Sequence, residues 1–250
     1  MKHCSLSFAC LALIACLGVP AFADSQAQSV ETIMLDNFDD PSTVDWTWGV
    51  STSRFIEEGY PKYGYIKGMP NSLKQVAEDH GENAKVLGIQ VAYQRKGDNW
   101  FEVYPQMEND DGEMTNHEIQ LQGNLSQMDF WVWGANYEYY LDVLIRDADG
   151  RVVSLPAGNL DFHGWKNVII TIPGWLKQHS SYRSGPESVS FVGFHVRSDP
   201  EEPVDDFMIY FDNLRYTTNA YSNVYDGYEL RQVDFDAINE NDGNEGVTAQ

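Results

Sequence analysis

Residues 127–146 read QMDFWVWGANYEYYLDVLIR, and their alternation decides the fold class. Met128, Phe130 and Val132 fall on one side of an extended chain, and Asp129, Trp131 and Trp133 on the other. After a polar break, Tyr139, Leu141, Val143 and Ile145 share a side against Glu138, Tyr140, Asp142 and Arg146. Period two over runs this short predicts strands with one core face, not helices.

Working outward, the same period recurs in Ile33–Phe38, Leu87–Tyr93, Trp100–Tyr104, Trp165–Ile172, Phe191–Val196 and Phe207–Tyr216. Turn chemistry separates the runs: Lys96-Gly97-Asp98-Asn99, Asp147-Ala148-Asp149-Gly150, His163-Gly164 and Ser184-Gly185-Pro186. Residues 59–70 read as an aromatic, Gly/Pro-rich loop. Helical pattern is confined to Ser72–Glu78 and Pro173–Gln178. Many short strands with frequent turns predict an all-β fold, an antiparallel β-sandwich or jelly roll.

The three cysteines, Cys4, Cys10 and Cys16, all lie in the first 23 residues, with Lys2, an apolar run from Leu6 to Val19 and the triplet Ala21-Phe22-Ala23. That is the pattern of a secretory signal peptide, cleaved between Ala23 and Asp24. A competing reading takes Leu13-Ile14-Ala15-Cys16 as a lipobox, with Cys16 lipidated. The predicted organisation is a signal peptide over 1–23, a sandwich over 24–218 and an acidic, largely disordered tail over 219–250. The cleaved chain of 250 − 23 = 227 residues carries 15 basic and 38 acidic groups, a net charge of 15 − 38 = −23. Such a charge repels nucleic acid. No later segment is long and apolar enough to span a membrane as a helix.

Chemistry-bearing motifs are scarce. His80, His117, His163, His179 and His195 form neither HxH nor HExxH, and there is no P-loop, dinucleotide fingerprint or nucleophile elbow. Glu102, Glu118, Glu138 and Asp142 stand on predicted strands, but among 38 acids some pair will always suit a glycosidase. Asp147-x-Asp149-Gly150 and Asn109-Asp110-Asp111-Gly112 resemble calcium-loop fragments without the distal ligand, and are explained as hairpin turns. Asp36, Asp39 and Asp40 close the first strand and Asp212 lies in the last; if those strands are neighbours, the carboxylates either hold a calcium ion or are solvated. No enzyme activity, catalytic residue, cofactor or metal is expected. Trp131 and Trp133, beside Tyr140, are candidate interface aromatics; the alternative is a strand buried on both faces.

The ordered blocks carry a resemblance. Val86-Leu87-Gly88-Ile89-Gln90-Val91 precedes Gly97-Asp98-Asn99-Trp100-Phe101-Glu102-Val103-Tyr104-Pro105. Then come Asp129-Phe130-Trp131-Val132-Trp133-Gly134-Ala135-Asn136, Leu141-Asp142-Val143-Leu144-Ile145-Arg146-Asp147, Leu160-Asp161-Phe162-His163-Gly164-Trp165-Lys166-Asn167 and Phe211-Asp212-Asn213-Leu214. Over about residues 35–216 the set resembles the flagellar filament outer layer (sheath) proteins of spirochaetes, the FlaA family. The resemblance implies a periplasmic structural subunit that coats a flagellin core, contacts other sheath subunits, self-associates, and affects filament stiffness and motility. The strand pattern also resembles jelly-roll carbohydrate-binding modules, so a secreted carbohydrate-binding module is the alternative.

Overall fold

The computed structural model describes residues 30–77, 81–179 and 188–219. The expected signal peptide and its cleavage site, Cys16, the turn at 184–186 and residues 220–250 of the tail lie outside them. The described strands, in chain order, are β1 (Val30–Asp36), β2 (Thr47–Thr52), β3 (Lys62–Lys67), β4 (Lys85–Val91), β5 (Trp100–Glu108), β6 (Met114–Asn116) and β7 (Ile119–Leu121). They continue with β8 (Asn124–Ala135), β9 (Tyr139–Arg146), β10 (Val152–Asn159), β11 (His163–Thr171), β12 (Val189–Ser198) and β13 (Phe207–Asn219). Among the described residues a single turn of α-helix, α1 (Asn71–Lys74), stands where two turns were expected over Ser72–Glu78.

The strands form two antiparallel sheets. Sheet I runs β11-β8-β13-β4-β3, with β1 also pairing β13; sheet II runs β10-β9-β12-β5-β2, with β6 on β5 and β7 on β12. The chain crosses repeatedly between the sheets, as from β4 to β5 and from β8 to β9, so sequential strands face each other across the core. The fold is the expected antiparallel β-sandwich. The first strand does lie beside the last, with Ile33 opposite Tyr216.

The alternation of the central stretch is realised. Met128, Phe130 and Val132 of β8, and Tyr139, Leu141, Val143 and Ile145 of β9, are all buried between the sheets. The centre is aromatic: Phe194 stacks on Phe211 at 4.4 Å and meets Phe130 edge-on at 4.9 Å, and Tyr139 stacks on Phe207 at 4.0 Å. Each fully buried side chain of this size contributes roughly 1.5–3 kcal/mol. Phe38, in the left-handed region at φ 60°, turns in beneath Trp48, and the two rings close that end of the core at 5.6 Å.

Three of the strands that the periodicity misses, β2, β3 and β10, are the outermost of their sheets. The expected loop over 59–70 contains β3, interrupted by Gly64, and β10 carries Pro156 at a bulge between Pro156 and Gly158. An edge strand needs neither a continuous apolar face nor every backbone donor, so its sequence signal is weak. His163-Gly164, expected as a turn, opens β11 instead, with His163 opposite Ala135.

Candidate functional site: the outer faces of the two sheets

With the inner faces filled, the outer faces carry the surface chemistry. On sheet I the registers align one row of residues across five strands: Trp165, Trp133, Tyr210, Gly88 and Gly64. Trp133 and Tyr210 meet edge to face at 5.2 Å and 74°. Gly88 allows the Tyr210 ring to lie against the sheet, because a Cβ there would sit 2.9 Å from that ring and 2.6 Å from Ile66 Cδ1. Tyr210, Ile66, Met208, Gln90 and Lys62 line a depression of about 260 Å³ over the two glycines.

The next row sets Asn167 beside Trp131 and Asp212, and the one after it sets Ile169 beside Asp129, Arg215 and Met34. Ile169, Ile66 and Met34 are 60%, 48% and 45% exposed. The tryptophans are half-buried, and no described strand packs on this face. An ion pair, Arg215 Nε to Asp129 Oδ1 at 2.5 Å, is set into these apolar surroundings.

Tyr140 does not join Trp131 and Trp133. It lies on the outer face of sheet II, opposite Arg197, with the full thickness of the sandwich between it and the tryptophans. The Arg197 guanidinium covers its ring at 4.5 Å. The expected grouping of the three residues is therefore corrected. Period two assigns each residue a face of its own strand, but it does not say that β8 and β9 belong to different sheets. Trp165 and Tyr210, which complete the sheet I row, went unnoticed for the same reason. Tyr210 alternates with buried Ile209 and Phe211, Trp165 stands between Gly164 and exposed Lys166, and only the register sets both beside Trp133.

The acidic groups of the terminal strands meet only in part. Asp36 Oδ1 accepts from the Phe38 amide at 2.7 Å and Oδ2 from Trp48 Nε1 at 2.8 Å. Asp39 Oδ1 accepts from the Lys85 amide at 3.0 Å. Asp40 faces solvent and caps the turn at Pro41–Thr43 through the Ser42 amide. Asp212 is 1% exposed; its Oδ1 accepts from Asn213 Nδ2 at 2.9 Å, while its buried Oδ2 has no partner. Burial pushes the Asp212 carboxyl up to about 7, and the charges of Asp39 and Asp36 add to the effect. Burial likewise raises Asp36. Among the described residues no three His, Cys, Asp or Glu side chains are placed to hold a metal ion.

Asp147-Ala148-Asp149-Gly150 forms the hairpin turn between β9 and β10, with Asp147 Oδ1 accepting from the amides of Asp149 and Arg151. Glu118 gives both carboxylate oxygens to Arg146, and Glu102 pairs with His195 Nδ1 at 3.1 Å. Of the described helices, none is long and apolar enough to cross a membrane.

Comparison with known proteins agrees with the family resemblance. Among solved structures, a carbohydrate-binding module of the β-sandwich superfamily is 13% identical, covering 73% of this chain and 61% of that chain at a TM-score of 0.45. The family 11 carbohydrate-binding module of a Clostridium thermocellum cellulosomal cellulase is 11% identical, covering 79% and 99% at 0.41. A flagellar filament outer layer-like protein of Brachyspira hyodysenteriae is 27% identical over 198 residues, 79% of this chain and 83% of the relative. The flagellar filament outer layer protein of Treponema pallidum is 30% identical over 91 residues, 33% of this chain and 26% of that protein. The family model described as flagellar filament outer layer protein matches residues 27–225, so the chain belongs to the flagellar filament outer layer protein family.

Proposed function

We propose that this chain is a non-catalytic sheath subunit that coats a flagellin core in the periplasm, and that it grips the filament with the outer face of sheet I. The aromatic row of Trp165, Trp133 and Tyr210 carries the reading. A sheet already packed on its inner face does not need three half-buried rings and exposed Ile169, Ile66 and Met34 on the other to close its core. Desolvated aromatic clusters of this kind anchor protein interfaces. The edge-to-face contact of Trp133 with Tyr210 gives a knobbed surface, suited to side chains of a partner protein and not to one flat sugar face.

A layer of such subunits bonded to the core adds material away from the filament axis. That raises bending stiffness and shapes the motility the filament supports. Neighbouring sheath subunits would meet through the lateral edges, β3, β11, β2 and β10. Export through the signal peptide over 1–23 supplies the periplasm, and the chain's high negative charge keeps free subunits apart before assembly.

Co-sedimentation with bare flagellin core filaments tests the gripping face. Wild-type protein should pellet saturably. Trp131→Ala and Trp133→Ala should remain folded by circular dichroism and stay in the supernatant. Equal pelleting of wild type and both variants would remove sheet I from the interface.

A further inference from the structure

On the opposite side of the molecule the sheet opens. β5 and β12 pair only where Trp100–Val103 faces Phe194–Arg197. Beyond that point β5 takes β6 as its partner at Gln106–Glu108, and β12 takes β7 at Val189–Phe191. The sheet forks, and the bend at His117 and Glu118 sits in the fork, tied by the His117 amide to Pro105 O at 2.9 Å. Gly193 sets the fork point at a bulge in β12, where a Cβ would lie 2.5 Å from Val103 O. The result is a cleft of about 220 Å³ whose polar lining includes Glu102, Tyr104, Asn116, His117, Glu118 and Arg146.

Its charged groups already have partners inside the protein. Arg146 spends Nε and Nη2 on Glu118 and Nη1 on Gly150 O, at 2.7–2.9 Å. Glu102 is paired with His195, which in turn stacks on Trp100. An anion therefore finds the cleft's guanidinium already held by the Glu118 carboxylate, in a chain of net charge −22. A cation finds one carboxylate neutralised by an arginine. What remains is the acceptor capacity of two carboxylates, Glu118 at 28% and Glu102 at 37% exposed, with the Tyr104 hydroxyl and the Asn116 amide as donors. Leu144 and the Tyr104 ring supply apolar wall. His117 is held in place by stacking on Trp46 at 6.2 Å.

From this donor and acceptor set we infer that the forked cleft binds a neutral, hydroxyl-rich ligand, one sugar residue of a glycan. Paired carboxylates accept hydrogen bonds from neighbouring hydroxyls, the amide and phenol return them, and the apolar wall takes the face of the pyranose ring. The site lies on the opposite face from the proposed filament contact, so it would remain open on an assembled coat. It stands on its own geometry, independent of the filament reading.

Calorimetric titration of the exported full-length protein with cellotetraose, xylotetraose, mannotriose and chitotriose tests it. At least one should bind saturably, with Kd on the order of 0.01–1 mM. Glu102→Gln and Tyr104→Ala should each weaken that binding about tenfold or more, a loss of about 1.4 kcal/mol. Asn116→Ala, at the exposed end of β6, should weaken it too, with unchanged circular dichroism. Absence of saturable binding by all four sugars, or binding that survives all three substitutions, overturns the inference.

Discussion

Replacing Asp212 with asparagine should make the protein more stable near neutral pH and leave it unchanged in acid. Asp212 is 1% exposed and its Oδ2 has no hydrogen-bond partner. Its carboxyl titrates at about 7 in the fold, against about 3.9 in an unfolded chain. Between those values the folded state binds more protons than the unfolded state, so stability falls as pH rises from about 4 to about 7 and then levels off. A difference of about 3 pH units corresponds to roughly 4 kcal/mol. The Asp212→Asn side chain would keep the shape and the acceptor for Asn213 Nδ2, and would carry no charge to bury. Urea denaturation followed by tryptophan fluorescence, in chelator, would give the difference between variant and wild type at several pH values. The expected gain is a few kcal/mol at about pH 8, vanishing near pH 4. A variant that is less stable than wild type at pH 8, or a difference independent of pH, would show that the ionised carboxylate is satisfied in the fold and refute the reasoning.

Further measurements test the core, the terminal strands and the expected signal peptide. Phe194→Ala, at the centre of the aromatic core, should cost about 3–5 kcal/mol, whereas Trp133→Ala on the outer face should cost about 1–2 kcal/mol; equal losses would place Trp133 in the core. Calcium should shift the melting temperature little relative to chelator, since no three ligating side chains converge among the described residues; a large upward shift abolished by Asp212→Ala would instead assign a metal to the terminal strands. N-terminal sequencing of the native protein should begin at Asp24, and an acylated Cys16 found by mass spectrometry would replace the soluble subunit with an anchored one.

How much was legible in the sequence varies with position in the sheet. β8, β9, β12 and β13 are interior strands with one apolar face each, and residues such as Phe130, Val143, Phe194 and Phe211 declare the period unaided. β2, β3 and β10 lie at the edges, where Gly64 and Pro156 are tolerated and the pattern dissolves. The faces of Trp131 and Trp133 followed from alternation. Their neighbours did not, because pairing Trp133 with Tyr210 requires a contact between strands far apart in the chain. Tyr140 was misplaced for want of the same information. The forked cleft is further from view, since it depends on where β5 stops pairing with β12. The only local sign is Gly193, and a glycine in a strand marks a bulge without saying what opens beside it.

The central claim is that sheet I seats this subunit on the flagellar filament. Quantifying the chain in filaments purified from cells that express either the native protein or a Trp131→Ala/Trp133→Ala double variant tests it most directly. The native chain should copurify with the filaments, and the double variant should reach the periplasm folded yet be missing from them. Filaments that lack the native chain, or that retain the double variant at the native level, would contradict the account.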